Sequence, residues 1–423
     1  MDVFFTKIKL IWNDAALRTR VLFVIGALAI FRLGAIIPIP GVDAAALERL
    51  FNSNQFFGLL NLFSGGGLAN LSIMMLGVGP YITASIIMQL LTMIFPAMKE
   101  LYHEEGQAGR KKFAQYSRLL TAPLAMLQGF ALLSLLENQG VLGNLSGFDR
   151  LTNVLVVTAG AFFLMWLGEL ISEYGIGNGV SLIIFAGIVA GLPTAISQTW
   201  ATFDPSQIPL YIGFLVAAVL VTAGVVVVTE AERPIPVTYA KQVRGTKTYG
   251  GASTYLPIRL NQAGVMPIIF ALSILLFPQM IAQFLQNMGN PAVQNIAIKI
   301  IALTSNQWVY GITYFVLVVL FTFFYSAVTF EPDTISNNLQ KGGAFVPGVR
   351  PGRPTAEYLA KVVTRLTLIG ALFLGAVAIL PLIMQGITKN QTLAIGGTGL
   401  LIVVSVALEL IKQIDAQLAM REY

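Results

Sequence analysis

Residues 59–91, LLNLFSGGGLANLSIMMLGVGPYITASIIMQLL, begin as an apolar half-helix too short to cross a bilayer and break at Gly65-Gly66-Gly67. The chain then resumes as an apolar run interrupted again by Gly77, Gly79 and Pro80. A simple anchor has no use for such a design. In hydrocarbon a broken backbone persists only where it is buried in protein or lines a watery cavity, because freed N–H and C=O groups find no other partners. The stretch therefore predicts a cavity in a membrane protein.

The composition agrees. Of 423 residues 56% are hydrophobic and 11% charged, with a mean hydropathy of +0.76, which places the chain in the polytopic membrane class. The absence of cysteine excludes disulfides and thiolate metal sites, and a single histidine excludes a His-rich catalytic or metal centre. A net charge of +6 does not imply nucleic acid, since membrane proteins concentrate Lys and Arg in cytoplasmic loops.

Apolar runs near the ~20 residues needed to cross a hydrocarbon core occur at residues 21–37, 72–95, 119–136, 151–171 and 180–200. A second set lies at 210–229, 263–285, 308–330, 366–387 and 393–411. The first run lacks a small-residue cleavage site and ends at Pro38, Pro40 and Gly41, so it reads as a retained helix rather than a signal peptide. Residues 1–13 carry Phe4, Phe5, Ile8, Ile11 and Trp12 at the spacing of an interfacial amphipathic helix. Ten spans place 21 of the 26 Lys and Arg on one side and four on the other, with Arg32 inside the first span. Both termini are therefore expected in the cytoplasm. Division near Asp204-Pro205 gives halves of five spans, residues 1–203 and 204–423, and an odd number per half obliges them to insert in opposite orientations.

The outer loops read as short, whereas two cytoplasmic loops, about 230–261 and 330–361, are long and patterned. Residues 236–256 hold two extended runs around Arg244-Gly245 and predict a β-hairpin with a basic tip. After Glu331-Pro332-Asp333 a short helix is expected, followed by FVPGVRPGRP (345–354). The prolines and glycines of that run predict a stiff extended loop presenting Arg350 and Arg353. The bland alternative is that both loops are solvated positive-inside connections.

No enzyme signature is present. His103-Glu104-Glu105 lacks the second histidine of a zinc helix, Gly175–Gly179 lacks the strand-then-helix context of a dinucleotide site, and no phosphate-binding G-x-x-x-x-G-K-[ST] occurs. Arg32, Glu137, Glu169 and Glu409 lie near predicted span ends, where snorkelling accounts for them. That weakens, without removing, the alternative of an ion-coupled secondary transporter with inverted repeats. The remaining interior feature is aliphatic: Ile82 and Ile86 follow the Gly77/Gly79/Pro80 break at i, i+4, and Val180 and Ile184 follow Gly177-Asn-Gly179 at the same spacing. Such residues are ordinarily core or lipid-facing. A ring of them can also form a constriction that excludes ions by dewetting.

Several stretches together resemble the SecY/Sec61-alpha family of protein-conducting channels: LFSGGGL (62–68), GPYITASIIMQLL (79–91), EGQAGRKKFAQYSR (105–118) and MWLGELISEYGIGNGVSLIIFAGIVAGLP (165–193). YGGASTYLPIRLNQAGVMPIIFA (249–271), GAFVPGVRPGRPTAEYL (343–359) and IGGTGLLIVVSVALE (395–409) extend the likeness along the whole chain. The resemblance implies an all-α polytopic membrane protein. Its ten transmembrane helices form two inverted five-helix halves, a clamshell around an hourglass pore, with a re-entrant plug half-helix at about 57–71. Carried over by motif, the pore ring comprises Ile82, Ile86, Val180, Ile184, Ile269 and Ile402. The plug includes Phe63, Gly65, Gly66, Gly67 and Leu68, with the glycines as hinge, and the lateral gate includes Ser85, Gln89, Gln128 and Phe277. The implied activity is passage of unfolded secretory chains and lateral release of transmembrane segments into lipid, without bond chemistry, cofactor or metal. The implied partners are SecE-like and SecG-like small membrane subunits, a SecA-type motor ATPase and the ribosome. These partners would meet Arg244, Lys247, Arg350 and Arg353 in a bacterial plasma membrane; no nucleic acid other than ribosomal RNA is implied. Two departures stand out: Thr246 at the hairpin tip, where a basic residue is usual, and Gly399 where GGTS is usual.

Overall fold

A computed structural model describes residues 12–40, 61, 64–103, 105–143, 145–201, 208–239, 242–244, 247–249, 253–286, 291–388 and 391–419. The amphipathic stretch 1–11, Phe63, the hairpin tip 245–246 and the expected boundary at 204–205 lie outside the described residues.

The chain first builds α1 (Ala15–Gly34), α2 (Gly79–Ile94), a short α3 (Pro96–His103), α4 (Gly106–Asn138), α5 (Gly147–Tyr174) and α6 (Gly179–Ala201). It continues with α7 (Ile208–Glu230), strands β1 (Glu232–Tyr239), β2 (Gln242–Arg244), β3 (Lys247–Tyr249) and β4 (Ser253–Arg259), then α8 (Met266–Gln286) and α9 (Pro291–Ser305). α10 (Gln307–Thr329), α11 (Pro332–Lys341), β5 (Ala344–Phe345), α12 (Arg353–Thr388) and α13 (Gln391–Ala419) complete it. Each of the ten expected spans falls on one long helix: α1, α2, α4, α5, α6, α7, α8, α10, α12 and α13. Local chemistry sets several of their starts. Asp14 accepts from the N–H groups of Ala16 and Leu17, Ser146 from Asp149, and Asn306 from Trp308 and Val309, satisfying donors that a helix N-terminus otherwise leaves unpaired.

Among the described residues five helical runs are by themselves long and apolar enough to cross a membrane: Gly106–Glu137, Gly147–Tyr174, Tyr211–Glu230, Gln307–Lys341 and Arg353–Leu380. α1, α2, α6, α8 and α13 do not pass that test alone, and α2 shows why. Its 16 residues reach about 24 Å at 1.5 Å per residue, short of a ~30 Å hydrocarbon core, and it bends by 114° into α3 at Phe95-Pro96. The expected span 72–95 is therefore helical only from Gly79. Its first seven residues are turns, because Gly77 adopts a left-handed φ of 59°. The outer connections also differ from expectation. Between α8 and α10 lies α9, an apolar helix packed on both, which was too short to register as a span.

Packing sorts the long helices into two groups. α1, α2, α4, α5 and α6 contact one another, as do α7, α8, α10, α12 and α13. Across the groups, α8 packs on α2 and α4 at one seam and α13 packs on α6 at the other. One apolar core runs through both groups and both seams.

The two patterned loops form a single unit. β1 and β4 pair antiparallel from Glu232↔Arg259 to Thr238↔Ser253, and β2 pairs with β3 toward the tip. β5, from the second loop, adds to β1 at Thr238↔Phe345 and Tyr239↔Ala344. Ile235 and Ile258 from the hairpin bury with Val346, Leu359, Val362 and Val363 in a separate small core at the start of α12. Arg353 is the first residue of α12 and lies within one turn of its partner Glu357, so the expected extended loop presents Arg350 but not Arg353. Pro354 at the second helical position explains this, since its fixed φ suits a helix start. Leu359→Ala should remove about 2–5 kcal/mol from this small core. The expected outcome is faster tryptic cleavage at the hairpin with the membrane helices left intact; an unchanged cleavage rate would show that the platform does not depend on it.

Candidate functional site

Within the expected plug half-helix Asn61 is helical, and residues 64–71 run as linked turns that continue, past a bridge at Ser72, to residue 78. Gly65 (φ 63°), Gly66 (φ 84°) and Leu71 (φ 40°) adopt left-handed conformations that no helix accommodates. The backbone polar groups are nevertheless satisfied. The Leu68 N–H donates to Ser64 Oγ at 2.9 Å, Ser72 N–H to the Gly67 carbonyl at 2.9 Å, and Ala69 N–H to Asn61 Oδ1 at 2.9 Å. Beyond the end of α1, Ile39 N–H donates to the Leu71 carbonyl at 2.9 Å and Ile73 N–H to the Ile37 carbonyl at 3.0 Å, a two-stranded bridge at Pro38↔Ser72. Leu68, Leu71, Met75 and Val78 are fully buried.

Three helices hold this segment. Arg32 of α1 donates from Nη1 to the Gly65 carbonyl at 3.0 Å. Its position inside the first span is thus explained by a backbone carbonyl freed by the glycine break rather than by snorkelling. Phe31 lies against Gly65, where a Cβ would come within 2.5 Å of its ring. Gly187 of α6 packs on the Gly65 backbone, and Gly160 of α5 on the Ile73 carbonyl, both too closely for any side chain. The glycines expected to form a hinge are a pinned turn: alanine at Gly65 would meet Phe31, and at Gly67 it would meet Ser72 and Met74.

The six aliphatic residues come from the four helices that meet across the seams: Ile82 and Ile86 from α2, Val180 and Ile184 from α6, Ile269 from α8, and Ile402 from α13. All but Val180 are buried, and Val180 packs against the same core as the other five. Asn178 positions Val180 by capping α6, its Oδ1 accepting from the N–H groups of Val180 and Ser181 at 3.1 and 3.2 Å. Gly179 meets the Gly168 carbonyl of α5 so closely that any Cβ is excluded, which fixes the start of α6. This contact is marked in the sequence only by a glycine in each helix.

Buried or half-buried polar groups lie on α2 and α4, the helices that α8 packs against. Gln128 is buried on α4. On α2, Gln89 makes a weak 3.5 Å contact from Nε2 to Ser85 Oγ, and its Oε1 is buried without a partner. Phe277 lies on α8, its side chain outside the described residues. On the platform, Arg350 and Arg353 are exposed, and the β2–β3 register sets Arg244 directly opposite Lys247. The side chains of that pair lie outside the described residues.

A split bundle of membrane helices with a broken, re-entrant segment seated at its centre defines a multi-pass membrane protein of the channel class. The SecY family model matches residues 72–411. Curated protein translocase subunits SecY are similar along their whole length. The one from Corynebacterium glutamicum is 43% identical, covering 97% of both chains. That from Streptomyces galbus is 42% identical over 96% of each, as is that from Mycobacterium tuberculosis. Among solved structures, one described as a protein-conducting channel superposes with a TM-score of 0.67 at 19% identity, covering 96% of this chain and 93% of that one. Sec61 in a canine ribosome–channel complex gives 0.64 at 18%, with the same coverages. The chain belongs to the SecY family.

Arg32→Ala leaves the Gly65 carbonyl buried without its donor, a loss of about 1–3 kcal/mol. A lone cysteine at Leu68, shielded in the native background, should then react several-fold faster with a membrane-impermeant thiol reagent. Equal labelling rates would show that Arg32 does not seat the segment.

Proposed function

We propose that this protein is the channel subunit of a protein translocase, passing unfolded chains across a bacterial plasma membrane and releasing apolar segments sideways into lipid. The observation that supports the reading is that the six aliphatic residues, five of them buried and Val180 packed on the same core, all lie on the four helices that join the two groups. Ile82, Ile86, Val180, Ile184, Ile269 and Ile402 form the constriction. A collar of branched aliphatics at that point excludes hydrated ions by dewetting yet selects no solute, which suits a conduit for chains of any sequence. The 64–78 segment is the seal on one side of the collar. A related SecY structure is described in terms of a plug that stabilises the closed state and maintains a membrane seal.

The α2/α4–α8 seam is the lateral gate. An apolar seam with an unpaired Gln89 oxygen and a buried Gln128 is weaker than one packed entirely with aliphatics, because each unsatisfied polar group subtracts from its stability. A segment of about 20 apolar residues entering the channel competes for that opening and partitions into lipid.

The driving force comes from outside, through a motor ATPase or a ribosome docked on the platform, with small helical subunits at the rim of the bundle. Arg244 opposite Lys247 is a like-charge cross-strand pair, unfavourable by itself and relieved by an acidic or phosphate-bearing partner. Arg350 and Arg353, both exposed, add positive charge to the second loop. No observation favours the transporter alternative: Glu137 and Glu169 are each bonded to an arginine, Arg150 at 2.6 Å and Arg118 at 2.7 Å, rather than held for a coupling ion.

Ile402→Asn places a hydrated amide in the collar. Expected outcomes are a raised resting ion conductance and export of a reporter with a defective signal sequence; both at native level would remove the collar assignment. Arg244→Glu combined with Arg350→Glu should cut motor-driven export at least about tenfold, the scale of two lost charge-assisted contacts, without raising the conductance. Undiminished export would place the partner elsewhere.

A further inference from the structure

Between the collar and the hairpin lies a polar cavity of about 330 Å³, lined by Asn178 and Ser181 at the start of α6, Asn261 and Gln262 before α8, and Ser405 and Glu409 of α13. It sits directly over the collar. Ile402, Ser405 and Glu409 are spaced i, i+3, i+7 on one stripe of α13, so Glu409 stands two helical turns, about 10 Å, beyond Ile402. Asn261 is 8% exposed, and its Nδ2 donates to the Gly264 carbonyl at 3.1 Å. A carbonyl accepts only, so this bond fixes the amide orientation and leaves Asn261 Oδ1 as a buried acceptor without a donor. The Gln262 Oε1 is also buried without a partner.

The charges lining the cavity are Arg259, Lys412 and Glu409. Its two cations are engaged at the rim, Arg259 with Glu232 at 3.3 Å and Lys412 with Glu230 at 3.0 Å and the Thr229 carbonyl at 3.3 Å. Arg259 also acts on Glu409 electrostatically, but the closest bond drawn by the Glu409 carboxylate comes from a neutral donor, Gln413 Nε2, at 3.3 Å. With Arg259 and Lys412 balanced by Glu232 and Glu230, the cavity keeps one net negative charge and a buried acceptor, and both call for a donor-bearing cation. A volume of this size admits a lysine or arginine head with its stem.

We propose that this cavity receives the positively charged flank of an entering signal segment, the lysines or arginines preceding its apolar run, with Glu409 as counter-charge and Asn261 as hydrogen-bond acceptor. The inference rests on the channel reading. It gives the entry face a means of holding the basic end of a signal back while the apolar run moves on to the seam.

The test uses membranes in which this chain, with its accessory subunits, is the sole channel. Two reporters differ only in three lysines or three glutamates before the apolar run. The unaltered channel should export the lysine form at least about fivefold faster, the scale of one partly exposed ion pair. Glu409→Lys should reduce that ratio below about twofold, Glu409→Asp should retain it, and Asn261→Leu should lower it. As the chain has no cysteine, Glu409→Cys should form a disulfide with a cysteine placed among the lysines but not with one beyond the apolar run. Export with an unchanged ratio in Glu409→Lys, or no disulfide from Glu409→Cys, overturns the inference and leaves the channel intact. Export of neither reporter by the unaltered channel overturns the channel reading and the inference with it.

Discussion

Everything in this fold depends on one demand: in hydrocarbon each backbone N–H and C=O must find a partner within the protein. Nine of the ten spans meet it by being helical over all but a few terminal residues. The second cannot, since Gly65, Gly66, Leu71 and Gly77 hold left-handed conformations, and the carbonyls and amides released there are satisfied by Arg32, Ser64, Asn61 and the chain beyond α1. Because those partners surround the segment, it must lie at the centre of the bundle. Because it is not a helix, the α2 that follows is too short to seal the membrane alone. Interruption and central position are thus one fact seen twice.

The same demand explains the distribution of glycine. At Gly160 and Gly187 a neighbouring backbone comes so close that any Cβ would collide. Gly187 faces Gly65, in a stretch with little side-chain bulk of its own, and Gly160 faces the Ile73 carbonyl further along the same segment. Close backbone approach replaces side-chain interdigitation there. Contact of this kind is lost as a whole when the segment shifts, so the segment is expected to seat or unseat in one step rather than by degrees.

Much of this was legible in the sequence, and for stated reasons. The ten spans, the interruption at Gly65–Gly67 and the hairpin were readable because hydropathy and turn chemistry are local. The i, i+4 pairs Ile82/Ile86 and Val180/Ile184 were readable as helix faces, although grouping them with Ile269 and Ile402 required the family resemblance, since nothing local links residues so far apart in the chain. Arg32 was read as a snorkelling side chain because its partner, a carbonyl freed 33 residues later, has no sequence signature. The joining of β5 to β1 was invisible for the same reason: two residues of strand carry no periodicity, and the small core beneath them draws on three separate stretches. The helical start at Arg353 was missed because the prolines of 345–354 suggest loop, although Pro354 is equally at home in a first helical turn.

That joint platform bears on how force reaches the membrane. β4 ends at Arg259, and α8, one wall of the seam, begins at Met266. In between lie Asn261 and the Gly264 turn (φ 59°), tied together by the Asn261–Gly264 hydrogen bond. β1 leaves α7 directly, and Lys412 of α13 binds the last turn of α7 through Glu230 and Thr229. The hairpin is therefore rooted in α7 and α8 and shares its small core with α12, three helices of a single group. A load on the platform cannot move one strand without the others. It acts on that group as a body and against the α2/α4 and α6 contacts that hold the other group, the two seams whose helices carry the proposed collar.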